Sequence, residues 1–196
     1  MSKSRLEAFS DGVIAIILTI MVLELKVPKE DTVEALAALW PIYAAYALSY
    51  WFVFQVWLNH HDTFERLAQV DRSILHCNGL VLFAASFIPF ATAYAGEAHW
   101  RSTLPVALYG LVMCAVSLAI ARLRTLAGRL AQVREDRDIH RLESKKSLWF
   151  AGLFVLCAGV ALVMPRLSLL TFAITPVIGR MHGRARRMLV GNGKPS

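Results

Sequence analysis

Apolar residues fall into six blocks along the chain, separated by short polar or charged connections. The blocks run from about Ala8 to Leu25, Ala35 to Leu58, Ile74 to Ala95, Thr103 to Ala121, Leu148 to Met164 and Leu167 to Gly179. About 20 residues of α-helix cross the hydrocarbon core of a bilayer, so blocks of this length predict spanning helices. Blocks two to four have that length, and block five is slightly short. Block six is the weakest, because Pro176 interrupts it and Arg180 ends it. Blocks five and six together also fit a re-entrant hairpin. The predicted fold is an all-α integral membrane protein with six transmembrane helices per chain. A single domain covers residues 1–188, and residues 189–196 form a disordered tail rich in Gly, Asn and Pro.

Helix ends are marked in several connections. Ser4-Arg5-Leu6-Glu7 fits a capping box and starts the first helix ahead of its apolar block. Asp31 with Glu34 fits the same role before block two, Pro28 ends the first helix, and Pro105 suits the first turn of the fourth. Pro89 kinks the third helix, with the freed carbonyls satisfied by neighbours. The charged stretch from Arg122 to Lys146 lacks proline and extends helices four and five beyond the membrane. Its basic residues either contact anionic headgroups or only fix topology.

Composition sharpens the class. Hydrophobic residues make up 57% of the chain and charged residues 18%, with mean hydropathy +0.51. Soluble domains run nearer 45–50% and about 25%. Disorder, a disulfide-rich secreted module and a soluble globular fold are all disfavoured. Cys77, Cys114 and Cys157 lie in apolar stretches, as buried free thiols do, and no cleavable signal peptide is evident.

The net charge of +7 belongs to topology rather than to nucleic acid. Odd-numbered connections hold four basic residues: Lys26, Lys29, Arg101 and Arg166. All the other Lys and Arg residues lie at the termini or in even-numbered connections. By the positive-inside rule both termini are cytoplasmic, and the bias exists only if an even number of segments span. The tryptophans at 40, 51, 57, 100 and 149 lie mostly near segment ends, as an aromatic belt does.

The first helix is unusual. Between Asp11 and Glu24 lie only uncharged residues, and the helix between them covers roughly 20 Å against a ~30 Å hydrocarbon core. At least one carboxylate therefore sits at membrane depth, facing protein or a water-filled cavity. Arg5 is a candidate ion-pair partner for Asp11. Glu24 either forms an acidic ring at a pore mouth or pairs with Lys26 or another helix. Gly12, Ile16, Thr19, Ile20 and Leu23 fall within a sector of about 100°. Around a symmetry axis that stripe gives hydrophobic rings with one hydroxyl layer, and hydrophobic constrictions can gate by dewetting. A packed helix interface has the same pattern.

Other polar residues in the blocks have quieter roles. His60 and His61 beside Asp62 have only His76 nearby, which is too few for a metal cluster. A hydrogen bond from one of these histidines to the start of the first helix fits better, and Asn78 fits interhelical bonding. No inverted repeat marks a secondary transporter, which is the alternative to a channel, and no nucleophile–base set marks an enzyme. No helix carries the arginine ladder of a voltage sensor.

Several motifs resemble one family. Arg5-Leu6-Glu7-Ala8-Phe9-Ser10-Asp11 fits R-x-x-x-F-S-D and continues as Gly12-Val13-Ile14-Ala15-Ile16 and Thr19. Trp57-Leu58-Asn59-His60-His61 with Phe64, then Val70-Asp71-Arg72, then Pro89-Phe90-Ala91-Thr92, follow in order. Together they resemble the transmembrane protein 175 family of potassium channels, known from lysosomes and bacteria. The resemblance implies a homotetramer of six-helix chains in the bacterial plasma membrane, with four first helices lining a central pore. It implies potassium ions as the permeant species, no cofactor, and no T-V-G-Y-G filter. By position, Ile16 matches the constricting aliphatic and Thr19 the hydroxyl layer linked to potassium preference. Ile20 and Leu23 match further pore-facing positions. Arg5, Phe9, Ser10 and Asp11, with Trp57, His60 and His61, match a signature that holds the pore helix against its neighbours.

Overall fold

In the computed structural model, residues 2–168 together with Phe172 and Thr175 are described. Seven helices account for most of them: α1 (Lys3–Leu23), α2 (Val33–Ala38), α3 (Trp40–Glu65), α4 (Arg72–Ala85), α5 (Ile88–Glu97), α6 (Thr103–Leu130) and α7 (Arg134–Val163). There is no strand among the described residues. Among the described residues, four helical stretches are long and apolar enough to cross a membrane: Lys3–Leu23, Arg72–Glu97, Thr103–Leu130 and Arg134–Val163. Helix α3 has the length, at 26 residues, but its Tyr, Trp and Gln content makes it less apolar. Block six falls mostly outside the described residues, as do the tail 189–196 and the end of the predicted 1–188 domain.

Helix starts differ from those expected at two places. Ser2, not Ser4, caps α1, its side chain accepting from the Arg5 amide at 3.4 Å. Thr32, not Asp31, caps α2 by accepting from Ala35 at 3.1 Å. A hydroxyl three residues ahead of a free amide is the geometry a cap needs, and Ser2 and Thr32 hold it. Helix α1 stops at Leu23, five residues before Pro28, so the proline does not terminate it. The third apolar block is two helices: the ladder lapses at Ser86–Phe87, where Pro89 has no N–H to offer, and α5 begins.

The connections alternate between two ends of the bundle. At one end Lys3 donates to the Glu65 carbonyl at 3.2 Å, and Arg66 pairs with Asp136 at 3.0 Å. This gathers the N-terminus, the 66–71 connection and the α6–α7 turn. At the other end Lys26 meets Glu97 at 2.6 Å, joining the first and third connections. Among the described residues, the N-terminus and the second and fourth connections thus lie at one end, and the first and third at the other.

Helices α6 and α7 form an antiparallel hairpin about the short turn 131–133. They approach so closely that a Cβ on Gly110 would lie 3.1 Å from the Phe154 carbonyl oxygen. Small residues at such crossings let backbones touch, the main source of packing energy between helices in lipid. Behind the hairpin, α4 packs on α6, and α3 lies between α1, α5 and α6. Trp100, Tyr109, Phe154 and Phe172 close one end with edge-on and stacked ring contacts of 5.0–6.0 Å. Trp100 sits at φ 55° and His99 at φ 52°. Left-handed backbone costs non-glycine residues of order 1–3 kcal/mol each. Burial of the Trp100 indole, whose Nε1 donates to the Pro41 carbonyl at 3.3 Å, offsets that strain.

Candidate pore helix and its anchoring network

Helix α1 has two unlike faces. Leu6, Ser10, Ile14, Ile17 and Met21 are at most 4% exposed and pack into the bundle. The opposite face carries the whole predicted stripe: Gly12, Ile16 (57% exposed), Thr19, Ile20 (42%) and Leu23 (81%). Glu24, the C-cap residue, is exposed beyond it. The Thr19 hydroxyl donates to the Ile16 carbonyl at 2.9 Å within the helix. Its proton is therefore turned back along the backbone, and its lone pairs are free on the exposed side.

The buried face is fixed by a directed chain of hydrogen bonds. Ser10, fully buried, donates to the Leu6 carbonyl at 2.9 Å. Its oxygen accepts from Asn78 Nδ2 at 2.9 Å, and Asn78 Oδ1 lies 2.7 Å from His60 Nε2. An amide oxygen only accepts, so His60 carries its proton on Nε2. The chain joins α1, α4 and α3, with every donor aimed at an acceptor. His60 also stacks on Phe64 with centroids 4.4 Å apart. Among the described residues, the direct hydrogen bond expected from a histidine to the start of the first helix is not formed; His60 bonds to Asn78, which in turn donates to Ser10.

One helical step away, Trp57 Nε1 donates to Asp11 Oδ1 at 2.9 Å, and His61 stacks on the Trp57 ring at 5.8 Å. The structure therefore brings together Ser10, Asp11, Trp57, His60 and His61. It does not bring in Arg5 or Phe9, both on the exposed side of α1. The proposed Arg5–Asp11 ion pair is not formed. Residues six apart on a helix point about 120° away from each other, whereas helical pairs need spacings of three or four. Nor does Glu24 pair with Lys26, because Lys26 turns to Glu97.

Two clusters escaped the sequence reading. Ser49 Oγ lies 2.9 Å from Tyr109 Oη and 2.8 Å from Thr92 Oγ1, tying α3, α5 and α6 in the apolar interior. At the end carrying the α6–α7 turn, Arg124 is 2% exposed. It pairs with Glu143 at 3.0 Å and donates to Asn59 Oδ1 at 2.8 Å. The signal was available: Arg124 is flanked by Leu123, Leu126 and Ala127, the periodicity of a buried face continued past the membrane. Next to it lies His140, 2% exposed, with no hydrogen-bond partner for Nε2 among the described residues. Burial first, then the Arg124 charge and least the Arg66 charge, hold its pKa below the ordinary histidine value, against an upward pull from Asp136 that is weaker than that of Arg124.

These features define a multi-pass helical membrane protein whose first helix is anchored by one face and bare on the other. The chain belongs to the TMEM175 family of potassium channels. Residues 5–89 match the family described as endosomal/lysosomal potassium channel TMEM175. A potassium channel of Streptomyces collinus is 38% identical over 177 residues, covering 85% of this chain and 86% of the relative. One from Chamaesiphon minutus is 33% identical over 175 residues, covering 84% and 86%. The crystal structure of a lysosomal potassium-selective channel TMEM175 homolog from Chamaesiphon minutus has a TM-score of 0.81 to this chain. It is 29% identical, with 92% of this chain and 97% of that one covered.

Proposed function

We propose that the chain is a potassium-preferring cation channel, conducting passively through a central pore lined by α1 of four copies. Each copy contributes six transmembrane segments, with both termini on the cytoplasmic side of the plasma membrane. Four Ile16 side chains make the hydrophobic constriction, and the Thr19 oxygens form the adjoining polar layer. Ile20, Leu23 and Gly12 continue the wall, and Glu24 stands at one mouth. Membership of a family of potassium channels supports the permeant ion.

The observation that carries the reading is the uncovered stripe of α1. A helix whose inner face is locked by Ser10, Asn78 and His60 leaves its outer face to lipid or to other copies. A stripe that met only lipid would have no use for the exposed Thr19, whose lone pairs point outward and can coordinate a partly dehydrated cation. The helix is anchored through Asp11–Trp57 and the Ser10 chain, so signature residues position the pore wall rather than touching ions.

Reversal potential in a planar bilayer, with potassium on one side and sodium on the other, tests the reading. Currents reversing toward the potassium potential are expected. Ile16→Asn should raise conductance, because it wets the constriction, and Thr19→Ala should move the reversal potential toward zero. Unchanged flux in both folded variants removes α1 from the pore. Absence of current, with substrate-dependent flux in liposomes, makes the protein a carrier with Asp11 and Glu24 as coupling groups.

A further inference from the structure

Beyond the pore, the hairpin of α6 and α7 holds an open cleft of about 640 Å³ at the end carrying their turn. Basic side chains converge on it from both helices: Arg129 from α6, and Arg137, Arg141 and Lys145 from α7. The α7 residues are spaced by four, so they form one row along a single helix face. The Thr125 and Ser144 hydroxyls, 2.8 Å apart, line its membrane-proximal part. Among the described residues no carboxylate lines the cleft. Arg124 also borders it, but its guanidinium is engaged with Glu143 and Asn59. Arg129, Arg137, Arg141 and Lys145 form no ion pair among the described residues.

Topology alone asks only that basic residues lie on this side of the membrane, and scattered ones serve as well. Four exposed cations facing one concavity raise its positive potential, and an anion bound between them relieves their mutual repulsion. The walls are closely packed at one end. A Cβ on Gly128 would lie 3.1 Å from the Cβ of His140, so the helices touch at the base of the cleft. Arg137 is held across the turn by a bond from Nη2 to the Ala131 carbonyl at 3.3 Å, leaving its other donors for a ligand. Guanidinium forks match phosphate oxygens in geometry as well as in charge.

We propose that this cleft binds a phosphate-bearing anion, held by Arg129, Arg137, Arg141 and Lys145. Its depth bears on the source. Apolar block five begins at Leu148, so Lys145 lies about 5 Å and Arg137 roughly 16 Å beyond it along the helix. The polar layer of a leaflet is roughly 5–8 Å thick, which sets Lys145 at the level of lipid phosphates, Arg141, about 10 Å out, just past its outer edge, and Arg137 in water. A lipid headgroup entering from the membrane and a soluble phosphate entering from the turn meet the same donors.

The test uses the full chain in neutral detergent and the triple variant Arg137→Gln/Arg141→Gln/Lys145→Gln. All three positions are exposed, so the variant keeps the packed interior. Binding is read from the thermal midpoint by tryptophan fluorescence during titration with inorganic phosphate, against chloride at equal ionic strength. A second arm counts bound lipid by native mass spectrometry after reconstitution in phosphatidylcholine with or without phosphatidylglycerol. Stabilisation by phosphate identifies a soluble ligand, and retention of phosphatidylglycerol alone identifies a headgroup. Either should weaken about tenfold or more in the triple variant, as expected for loss of charge-assisted bonds. The control Arg101→Gln/Arg134→Gln, which removes basic residues outside the cleft, should bind as the parent does. The proposal is overturned if neither ligand is retained, or if the control loses binding as much as the triple variant.

Discussion

Asn78 stands in the middle of the hydrogen-bonded chain from His60 to Ser10, and both of its neighbours are buried. Asn78→Leu strands the His60 Nε2–H and removes the donor to Ser10, and each unsatisfied buried group costs about 1–3 kcal/mol. The variant should show a thermal midpoint lowered by several degrees. Trp57→Phe keeps a ring beneath His61 and removes only the bond to the exposed Asp11, so its midpoint should fall less. Equal losses would mean that the two halves of the network act as one unit. Ser10, Asp11, Trp57 and His60 were legible in the R-x-x-x-F-S-D and Trp57–His61 motifs, and Asn78 as a residue for interhelical bonding. Their pairing was not. Sequence spacing offered Arg5 to Asp11, while the fold brought Trp57 there from a helix 46 positions away.

At the scale of elements, the junction of α3, α6 and α7 holds a dense set of charges. His140 faces Asp62 of α3, Arg66 just past the end of α3 and Arg124 from α6, with Asp136 and Glu143 on its own helix. Its folded pKa is lowered, so the unfolded chain takes up a proton first as pH falls. Stability is whole above the ordinary histidine value of about 6.5 and declines below it. Thermal midpoints measured from pH 8 to pH 5 should therefore fall less steeply in His140→Gln than in the parent. Glu143→Gln leaves the buried Arg124 without its carboxylate, and loss of one partner of such a pair costs about 3–5 kcal/mol. Its midpoint should drop more than that of Asn78→Leu. The places of the long helices among the described residues were readable from apolar length, though the third block proved to be two helices. Their ends were less so: single hydroxyls and one missing proline N–H set them, and several nearby residues fit those roles equally on paper.

For the whole molecule, the bare stripe on α1 carries a prediction about assembly. Purified in mild detergent, the protein should have a light-scattering mass of four chains after subtraction of the detergent. Leu23→Asp, which puts charge on the most exposed position of the stripe, should shift that mass downward if α1 lines the contact between copies. A cysteine introduced at Ser2, in a chain whose native cysteines are buried, should react with an impermeant maleimide only from the cytoplasmic side of vesicles.

Apolar block length, the excess of Lys and Arg in alternate connections and the α1 motif were enough to define a multi-pass helical membrane protein of this family. These are properties of the chain against a bilayer, where each segment answers separately to hydrocarbon thickness and to charge. The tertiary structure decided what no segment holds alone. It chose Trp57 for Asp11, sent Lys26 to Glu97, buried Arg124 against Glu143 and gathered four basic side chains into one cleft. Such choices depend on which helix faces meet, and facing is fixed by the packing of all the helices together.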